Sequence, residues 1–487
     1  GAPSEIFSTI AGSRESRSMN LPTGKILANS STGEMAIMMG DVTNCTLARA
    51  PLAGGAPRDV LENVTDADWS PDGSSLAVAR NAGGHNTVEY PIGNVLFRND
   101  GRPPLSPRIS PNGELVAFYE HDPEAGDYNV VIVGSHRTKK ILSHGWRGIG
   151  RHLAWTPDGK EIWFSCVRAS GDPELRAVTL AGKERIVGQI PGWTVLEDIS
   201  RDGRPLLIVS TTRIAISYSA PNASAERDLS WLDTSYACDL SNDSKLLLFI
   251  ELSYGNGRNS SIYLRKTDGS PAVLLGYGNR PRLSPDGKWV AAIGRDPALS
   301  TLTLLPTGAG EPRNLSVNGM HYDYVEWFPD GRRVLFNANE PGKPTRTYTQ
   351  NVDGGAPQAV TPDEIRGADV APDGNSIITT DSGKYYVFPL NGGPSREIPG
   401  MERGDAPIRW FEDGHRIFIR RLAPDGPRFE LYRLDVTNGK ADFLKEIGPA
   451  DPVGATMTDV VITPDGKSYA FSYQRDVSNL YLVKGLK

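Results

Sequence analysis

The amino-acid sequence predicts an all-β protein, a β-propeller of about twelve four-stranded blades. Three observations predict this fold class. One short block recurs along the whole chain, its copies follow one another at the period of a propeller blade, and proline and glycine inside each copy exclude a helical repeat. At 487 residues the chain is too long for one ordinary core, so a repeat array or two domains are the first expectations.

The recurring block is an apolar strand, then Ser/Thr-Pro-Asp-Gly, then a second apolar strand. Clear copies are DADWSPDGSSLAVA at 66–79 and RPRLSPDGKWVAAI at 280–293. Ser244 stands in the one place where the turn glycine is lost, and successive turns lie mostly about 40 to 46 residues apart. The turn glycines are Gly33, Gly73, Gly113, Gly159, Gly203, Gly287, Gly331, Gly374, Gly414 and Gly466.

The turn and the third and fourth strands of each repeat can also be predicted from the residue types. Proline fixes φ at the second turn position, aspartate tolerates the third, and glycine takes the left-handed conformation that follows. A third strand comes next, such as NVVIVGS at 129–135. A Gly-containing turn and a shorter fourth strand close the period, as in GGAPRDVLE at 54–62. Each period therefore predicts four strands, which is one blade.

The count of turns predicts two six-bladed propellers in tandem, residues 1–232 and 233–487. The alternatives are one continuous ring of about twelve blades and an uneven split into seven and five blades. EIFSTIA (5–11) and ESRSMNL (15–21) look like the last two strands of a blade whose first two are missing. Either the sequence starts partway through a larger product, or the C-terminal strands complete that blade.

The block with its Ser-Pro-Asp-Gly turn resembles the WD40-like (PD40) repeat of TolB-type propellers over essentially the whole chain. Longer stretches, among them EIFSTIAGSRESRSMNLP and the ending TPDGKSYAFSYQRDVSNLYLVKGLK, resemble the C-terminal propeller region of acidobacterial membrane serine/threonine protein kinases. The resemblance implies an extracytoplasmic (periplasmic or cell-surface) sensor that follows a membrane-anchored kinase domain. The kinase motifs themselves are not in this sequence.

Composition and charge exclude several classes of partner. The net charge of −6 is spread along the chain without a basic stripe, so no nucleic acid is expected. No apolar run approaches the roughly 20 residues of a membrane helix, so no membrane segment is expected in this sequence. Cys45, Cys166 and Cys238 are far apart, odd in number and lack metal-ligand spacing. Cys166 and Cys238 stand in apolar strand contexts, which predicts buried, inert thiols at these two positions.

Motifs of catalysis are also lacking in the sequence. There is no Gly-x-Ser-x-Gly and no kinase signature, so we predict that the chain is not an enzyme and has no catalytic residue, metal or cofactor. The alternative is a propeller hydrolase or lyase with its site in the central funnel. His144 and His152, with Glu197 one blade later, are the cluster that a metal-dependent lyase would need; rim histidines are the simpler interpretation.

Charged residues recur three positions before the turn proline or its equivalent, between apolar neighbours. They are Asp68, Arg108, Asp198, Asp239, Arg282, Glu326, Asp369 and Arg409. These strands are innermost, so the charges should face the channel or the seam between blades, where burial requires partners. Adjacent repeats carry opposite signs at Asp68/Arg108, Arg282/Glu326 and Asp369/Arg409. We predict structural inter-blade ion pairs near the axis.

A second set of polar residues stands further upstream, where the inner strands begin at the funnel mouth. It comprises Asp66, His152, Arg280, Tyr324 and Asp459. The mixture varies between blades, as in a surface that reads a ligand, although solvated loop ends look similar. The sequence therefore predicts a non-catalytic module that binds a protein, peptide or glycan, and it does not identify that ligand.

Overall fold

The computed structural model describes residues 6–9, 15–19, 21, 24–41, 44–167, 173–189, 193–252, 260–295, 300–317, 319–424 and 426–486. The chain forms two compact units. Unit 1 comprises Gly1–Thr211 and Ser478–Lys487, and unit 2 comprises Thr212–Val477. All of the regular secondary structure in the described ranges is β-strand, which confirms the predicted all-β class. Within those ranges there is no helix that is long and apolar enough to span a membrane.

Unit 1 contains four consecutive four-stranded antiparallel sheets among its described residues. They are β3 (Gly24–Asn29), β4 (Glu34–Asp41), β5 (Asn44–Pro51) and β6 (Arg58–Glu62); β7 (Val64–Trp69), β8 (Leu76–Ala82), β9 (His85–Glu89) and β10 (Val95–Asn99); β11 (Leu105–Ile109), β12 (Leu115–His121), β13 (Tyr128–Gly134) and β14 (Lys139–Trp146); and β15 (Gly148–Trp155), β16 (Glu161–Val167), β17 (Pro173–Thr179) and β18 (Glu184–Gly188). A two-stranded sheet of β1 (Phe7–Thr9) and β2 (Ser16–Ser18) precedes them. A further sheet begins with β19 (Trp193–Ile199) and the first residues of β20 (Pro205–Ser219).

Unit 2 contains six four-stranded sheets in its described part, and one long strand serves two of them. The first half of β25 (Val273–Leu283) follows β22 (Ser235–Leu240), β23 (Leu246–Glu251) and β24 (Ser260–Lys266), and its second half starts the sheet of β26 (Trp289–Arg295), β27 (Ser300–Pro306) and β28 (Arg313–Asn314). The next three sheets are β29 (His321–Trp327), β30 (Arg333–Asn339), β31 (Arg346–Asn351) and β32 (Gln358–Ala359); β33 (Arg366–Val370), β34 (Ser376–Asp381), β35 (Lys384–Pro389) and β36 (Arg396–Glu397); and β37 (Ala406–Trp410), β38 (Arg416–Leu422), β39 (Phe429–Asp435) and β40 (Ala441–Ile447).

The sixth sheet of unit 2 takes strands from both ends of that unit. Its order is β41 (Ala455–Ile462), β42 (Tyr469–Leu482), β20 and the short β21 (Arg227–Asp228). β20 and β42 each continue into unit 1, where Val483 donates its backbone N–H to Pro205. In the described part of the chain β42 therefore pairs with β20 and β41, and not with β1 or β2, so the interpretation that the C-terminal strands complete the first blade is wrong.

The innermost strands of unit 2 form a closed ring. β22, β25, β29, β33, β37 and β41 contact one another in that order, and β41 contacts β22. In unit 1 the contacts run from β3 through β7, β11 and β15 to β19. Repeated four-stranded antiparallel sheets around such a ring are the architecture of a propeller, which confirms the predicted fold class. The total of about twelve blades and their division into two sixes stay predictions.

The hydrophobic core of each unit lies between neighbouring sheets. In unit 2, Leu302 and Leu304 of β27 pack with Val325, Trp327 and Phe336 of the next sheet, all of them buried. The Val-, Leu- and aromatic-rich strands are apolar on both faces because each sheet has a neighbour on either side. Stacking of sheets therefore positions the inner strands and the side chains that project from them.

The turn of the recurring block folds as its residues predict. At 70–73 the Ser70 hydroxyl donates to Asp72, and the backbone N–H of Gly73 donates to the Ser70 carbonyl at 2.8 Å. Gly73 has φ of +72°, in the left-handed region that glycine adopts without strain. Ser244 holds φ of +61° at the equivalent position, so the turn survives the loss of glycine there.

Candidate functional site

The inner strands of unit 2 enclose a cavity of about 690 Å³ along the centre of the ring. Eight sequence-predicted residues of this unit line it together. They are Arg280, Tyr324 and Asp459 from the predicted funnel mouth, and Asp239, Arg282, Glu326, Asp369 and Arg409 from the predicted charged ring. Side chains alternate along a strand, so one charged position per strand repeats on the channel side of successive blades.

The two arginines of the ring reach different kinds of partner. Arg282 Nε donates to Glu326 Oε2 at 3.0 Å, between the two neighbouring blades for which opposite charges were predicted. Arg409 does not pair with Asp369 in this way. Its nearest carboxylate oxygen is Asp239 Oδ1 at 3.9 Å, and its Nη2 donates to the side chain of Asn242 at 2.9 Å.

The ring carboxylates bind backbone amides of two blades. Asp239 accepts the N–H of Leu240 in its own strand at 2.8 Å and the N–H of Leu283 in the next blade at 3.0 Å. Asp369 repeats the arrangement with Val370 and Trp410, both at 2.9 Å. Sequence reasoning looked for side-chain partners and missed these bonds, because a backbone N–H leaves no signal in the residue types.

Enclosure in the channel shifts the proton affinity of the ring carboxyls. Burial raises the pKa of Asp369 to about 7; the neighbouring Glu326 carboxylate adds to the rise, and Arg409 opposes it. Burial also raises the pKa of Glu326, against the attraction of Arg282. Near neutral pH, Asp369 therefore exchanges between its protonated and ionised forms.

Arg280, Tyr324 and Asp459 lie within β25, β29 and β41 and not where these strands begin, because each strand extends further upstream than the sequence predicted. Arg280 has φ of +50°, a conformation that costs free energy for a residue with a side chain, and its guanidinium is 55% exposed. The Tyr324 hydroxyl donates to the carbonyl of Ala368 in the next blade. Asp459 accepts hydrogen bonds from its neighbour Val460 and from the Tyr236 hydroxyl at 3.3 Å.

Tyr236 is a channel residue that the sequence reasoning missed. It stands three residues before Asp239, and strict alternation would place the two on opposite faces of β22. A register shift between Ala237 and Asp239 changes that alternation. A bulge of one residue has no clear signature in SYACDL, so the sequence carried no usable signal.

Unit 1 places the other predicted residues among its own inner strands. Arg108 Nη2 lies 2.6 Å from His152 Nδ1, and His152 Nε2 lies 3.5 Å from Glu197 Oε2. Because a guanidinium can only donate, Nδ1 of His152 is the acceptor and Nε2 carries the proton. Asp68, which was predicted to pair with Arg108, instead accepts the backbone N–H of Ile109 at 2.8 Å.

The remaining carboxyls of unit 1 follow the pattern of unit 2. Burial raises the pKa of Asp68 to about 6, against the opposing charge of Arg108, and burial also raises the pKa of Asp198. Asp198 accepts the N–H of Ile199 at 2.7 Å. Asp66 is buried and accepts the N–H of Ala67 at 2.9 Å. His144 is exposed, whereas His152 is buried.

The described residues offer little to a metal ion. In those ranges no three His, Cys, Asp or Glu side chains are arranged to hold an ion. All three cysteines are buried and free, as predicted for Cys166 and Cys238, and burial raises the pKa of the Cys238 thiol to about 12. A thiol with so high a pKa stays protonated at neutral pH and is a poor nucleophile.

Fold and site together define a β-propeller with a charged central channel in unit 2. No family model and no curated protein matches the chain. Among solved structures, a protein described as TolB from Agrobacterium tumefaciens is 21% identical with a TM-score of 0.41, over 55% of this chain and 99% of its own. An oligogalacturonate lyase in complex with manganese is 14% identical with a TM-score of 0.33, over 77% and 96%. A puromycin-hydrolyzing peptidase of Mycobacterium tuberculosis is 14% identical with a TM-score of 0.31, over 73% and 55%.

The prediction that the chain is not an enzyme needs correction. It rested on the lack of kinase and peptidase motifs, but two of these three similar structures are enzymes, a lyase and a peptidase. A propeller can carry a reaction without those motifs, so their absence does not decide the matter. The identities and TM-scores are too low for these structures to assign an activity to this chain.

Proposed function

We propose that the chain is a ligand-binding propeller module whose ligand occupies the channel of unit 2. The main observation behind this proposal is the cavity of about 690 Å³, which is lined by residues from the inner strands of all six sheets of that unit. Its volume falls within the range of small-molecule pockets, and its lining combines apolar residues with eight charged side chains. A short segment of a peptide or glycan fits this description.

In its finer form, the proposal is the extracytoplasmic sensor or scaffold part of a receptor-like bacterial serine/threonine kinase, or a stand-alone relative. What supports it is the sequence resemblance of the ends of the chain, from EIFSTIAGSRESRSMNLP to YLVKGLK, to that propeller region. A rigid ring with a lined channel suits the sensing of a ligand because the site is formed before binding.

Blocking the channel tests the proposal. Val461 takes the sixth ring position, where it lines the cavity without a charge, so Val461→Trp should fill the space. The whole chain is screened against random peptides displayed on phage and against a glycan array. The matched control is Val453→Trp, the same substitution at a residue that is 77% exposed.

We expect binders that the wild type and Val453→Trp retain and that Val461→Trp loses at least about tenfold in affinity. Circular dichroism checks that both variants are folded. Binders that Val461→Trp retains in full, or no enriched peptide or glycan at all, would contradict a ligand site in this channel.

A second candidate, a propeller hydrolase or lyase, rests on the cluster of Arg108, His152 and Glu197 in unit 1. A neutral His152 with its Nε2 proton toward Glu197 could pass a proton to or from a substrate. We rank it second because His152 is only 5% exposed. Oligogalacturonate with and without manganese, and a chromogenic peptide amide, are the substrates to try. Turnover lost in His152→Gln and kept in His144→Gln would support the enzyme; no turnover by the wild type would exclude it for these substrates.

A further inference from the structure

The lining of the unit 2 channel carries an excess of negative charge. Its guanidiniums are Arg280, Arg282 and Arg409. Its carboxylates are Asp239, Glu326, Asp369, Glu412 and Asp459. When all five carboxyls are ionised they outnumber these guanidiniums by two, and Arg420, 3.5 Å from Asp459, reduces the excess to one negative charge. The field in a confined cavity is stronger than on an open surface because less water screens it.

The two arginines of the ring are already engaged. Arg282 donates to Glu326 and to the carbonyl of Cys238. Arg409 donates to Asn242 at 2.9 Å, to the carbonyl of Ile462 at 3.3 Å and to that of Leu240 at 3.4 Å. These bonds direct both guanidiniums to other partners, so they act on Asp369 only from a distance, where their attraction is too weak to offset its burial.

Among the described residues of unit 2, Asp369 is the ring carboxylate that has no basic side chain within 4.0 Å. Asp239 has Arg409 at 3.9 Å, and Glu326 has Arg282 at 3.0 Å. In the same ranges Asp369 receives the backbone N–H groups of Val370 and Trp410 and no ion pair. Each of its oxygens accepts one of these bonds and retains a further acceptor position. A charged carboxylate of this kind is stabilised by a cation from outside the protein.

We infer that the unit 2 channel binds an organic cation, a primary ammonium or guanidinium group on a flexible alkyl chain, with Asp369 as its counter-ion. The inference rests on the proposed function and names its ligand class. A bare ion would leave most of the 690 Å³ empty, whereas an alkyl chain fills the apolar stretches of the lining, such as Ile408 and Val461. The lysine or arginine side chain of a peptide and a free diamine both have this chemistry.

Isothermal titration calorimetry with four defined probes tests the inference. They are N-acetyl-Gly-Lys-Gly-amide, its norleucine and glutamate analogues, and cadaverine. The norleucine analogue keeps the alkyl chain and removes the charge. We expect the lysine peptide to bind the wild type at least about tenfold more tightly than the norleucine peptide, and the glutamate peptide not to bind. Cadaverine binding as tightly as the lysine peptide would identify a free amine as the ligand; weaker cadaverine would identify a peptide side chain.

The matched pair of variants is Asp369→Asn and Asp68→Asn. Both aspartates accept a backbone N–H from the next blade, but Asp68 lies in unit 1. Asp369→Asn should weaken binding of the lysine peptide at least about tenfold, and Asp68→Asn should leave it unchanged. If circular dichroism shows that Asp369→Asn does not fold, Glu326→Gln takes its place; a weaker affinity is expected because the channel loses one negative charge and Arg282 loses its counter-ion.

The outcomes separate this inference from the proposed function. Equal binding of the lysine and norleucine peptides, tighter binding of the glutamate peptide, no binding of the lysine peptide up to about 10 mM, or equal affinities in the two aspartate variants would overturn the inference. If a neutral or acidic binder is still lost in Val461→Trp, the proposed function stands without the cation. If the lysine peptide binds Val461→Trp as well as the wild type, the channel is not its site and both fail.

Discussion

Asp239 and Asp369 each join two blades with one side chain. One oxygen accepts the N–H of the following residue, and the other accepts an N–H from the next inner strand, as for Asp369 with Val370 and Trp410. Bonds from N–H groups to an ionised carboxylate are stronger than bonds between neutral groups. Their position, three residues before the turn, could be predicted from the repeat. Their partners could not, because the donors are backbone amides brought close only when the blades stack.

Asp369→Asn should change how the free energy of unfolding depends on pH. The pKa of Asp369 is raised from the ordinary 3.8 to about 7 by burial and by Glu326, against Arg409 and Arg282. The folded protein holds this proton more tightly than the unfolded chain, so its contribution to stability is full below about pH 4 and is lost as the pH rises through 7. Asparagine cannot ionise, so the variant lacks this loss.

Urea unfolding between about pH 4 and pH 8 measures this effect. Relative to Asp369→Asn, the wild type should lose stability with rising pH by at most about 4 kcal/mol. Asp381→Asn, which replaces an exposed carboxyl of the same unit, should run parallel to the wild type. Parallel curves for wild type and Asp369→Asn would show that the carboxyl ionises normally and is not enclosed as described.

The sheet of β41, β42, β20 and β21 closes the ring of unit 2 with strands from both ends of that unit. The buried Ser472 on β42 contributes to this closure: its hydroxyl accepts the backbone N–H of Ala237 on β22 at 2.8 Å. Removing the hydroxyl would leave a buried N–H without an acceptor, which costs more than the bond itself contributes.

Ser472→Ala should therefore lower the free energy of unfolding of unit 2 by about 1 to 3 kcal/mol. Ser478→Ala is the matched control on the same strand, because Ser478 is exposed and its hydroxyl bonds only to the side chain of Ser210 in the described residues. We expect that control to lie within about 0.5 kcal/mol of the wild type. Chemical denaturation checks both; an effect of Ser472→Ala no larger than that of Ser478→Ala would contradict the role of this bond.

The division of β20 and β42 between the two units could not be predicted from the sequence. The predicted boundary at 232/233 lies inside unit 2, about twenty residues beyond the point where β20 passes from one unit to the other. The turn blocks mark only the hairpin between the first two strands of a period, and β20 and β42 are both second strands that continue. The sequence did contain a signal for these long strands, because residues 206–219 and 469–482 form two runs without glycine or proline.

At the scale of the molecule, the propeller follows from repetition alone. Proline, aspartate and glycine recur in one order, and each copy folds into the same turn between apolar strands. The ring also explains why residues far apart in sequence, such as Arg280, Tyr324 and Asp459, meet in one cavity. The sequence could place each of them on an inner strand, two residues before the position of the charged ring. It could not show which of the two units each belongs to, because the units are bounded within β20 and β42 and not at a turn.

The most direct test of the central claim is hydrogen–deuterium exchange of the whole chain with and without N-acetyl-Gly-Lys-Gly-amide. A cation held in the channel of unit 2 should slow exchange in the inner strands β22, β25, β29, β33, β37 and β41, most of all around Val370 and Trp410, whose N–H groups bind Asp369. Asp369→Asn should remove that protection. Protection confined to outer strands or to unit 1, or identical exchange with and without the peptide, would contradict a cation site in this channel.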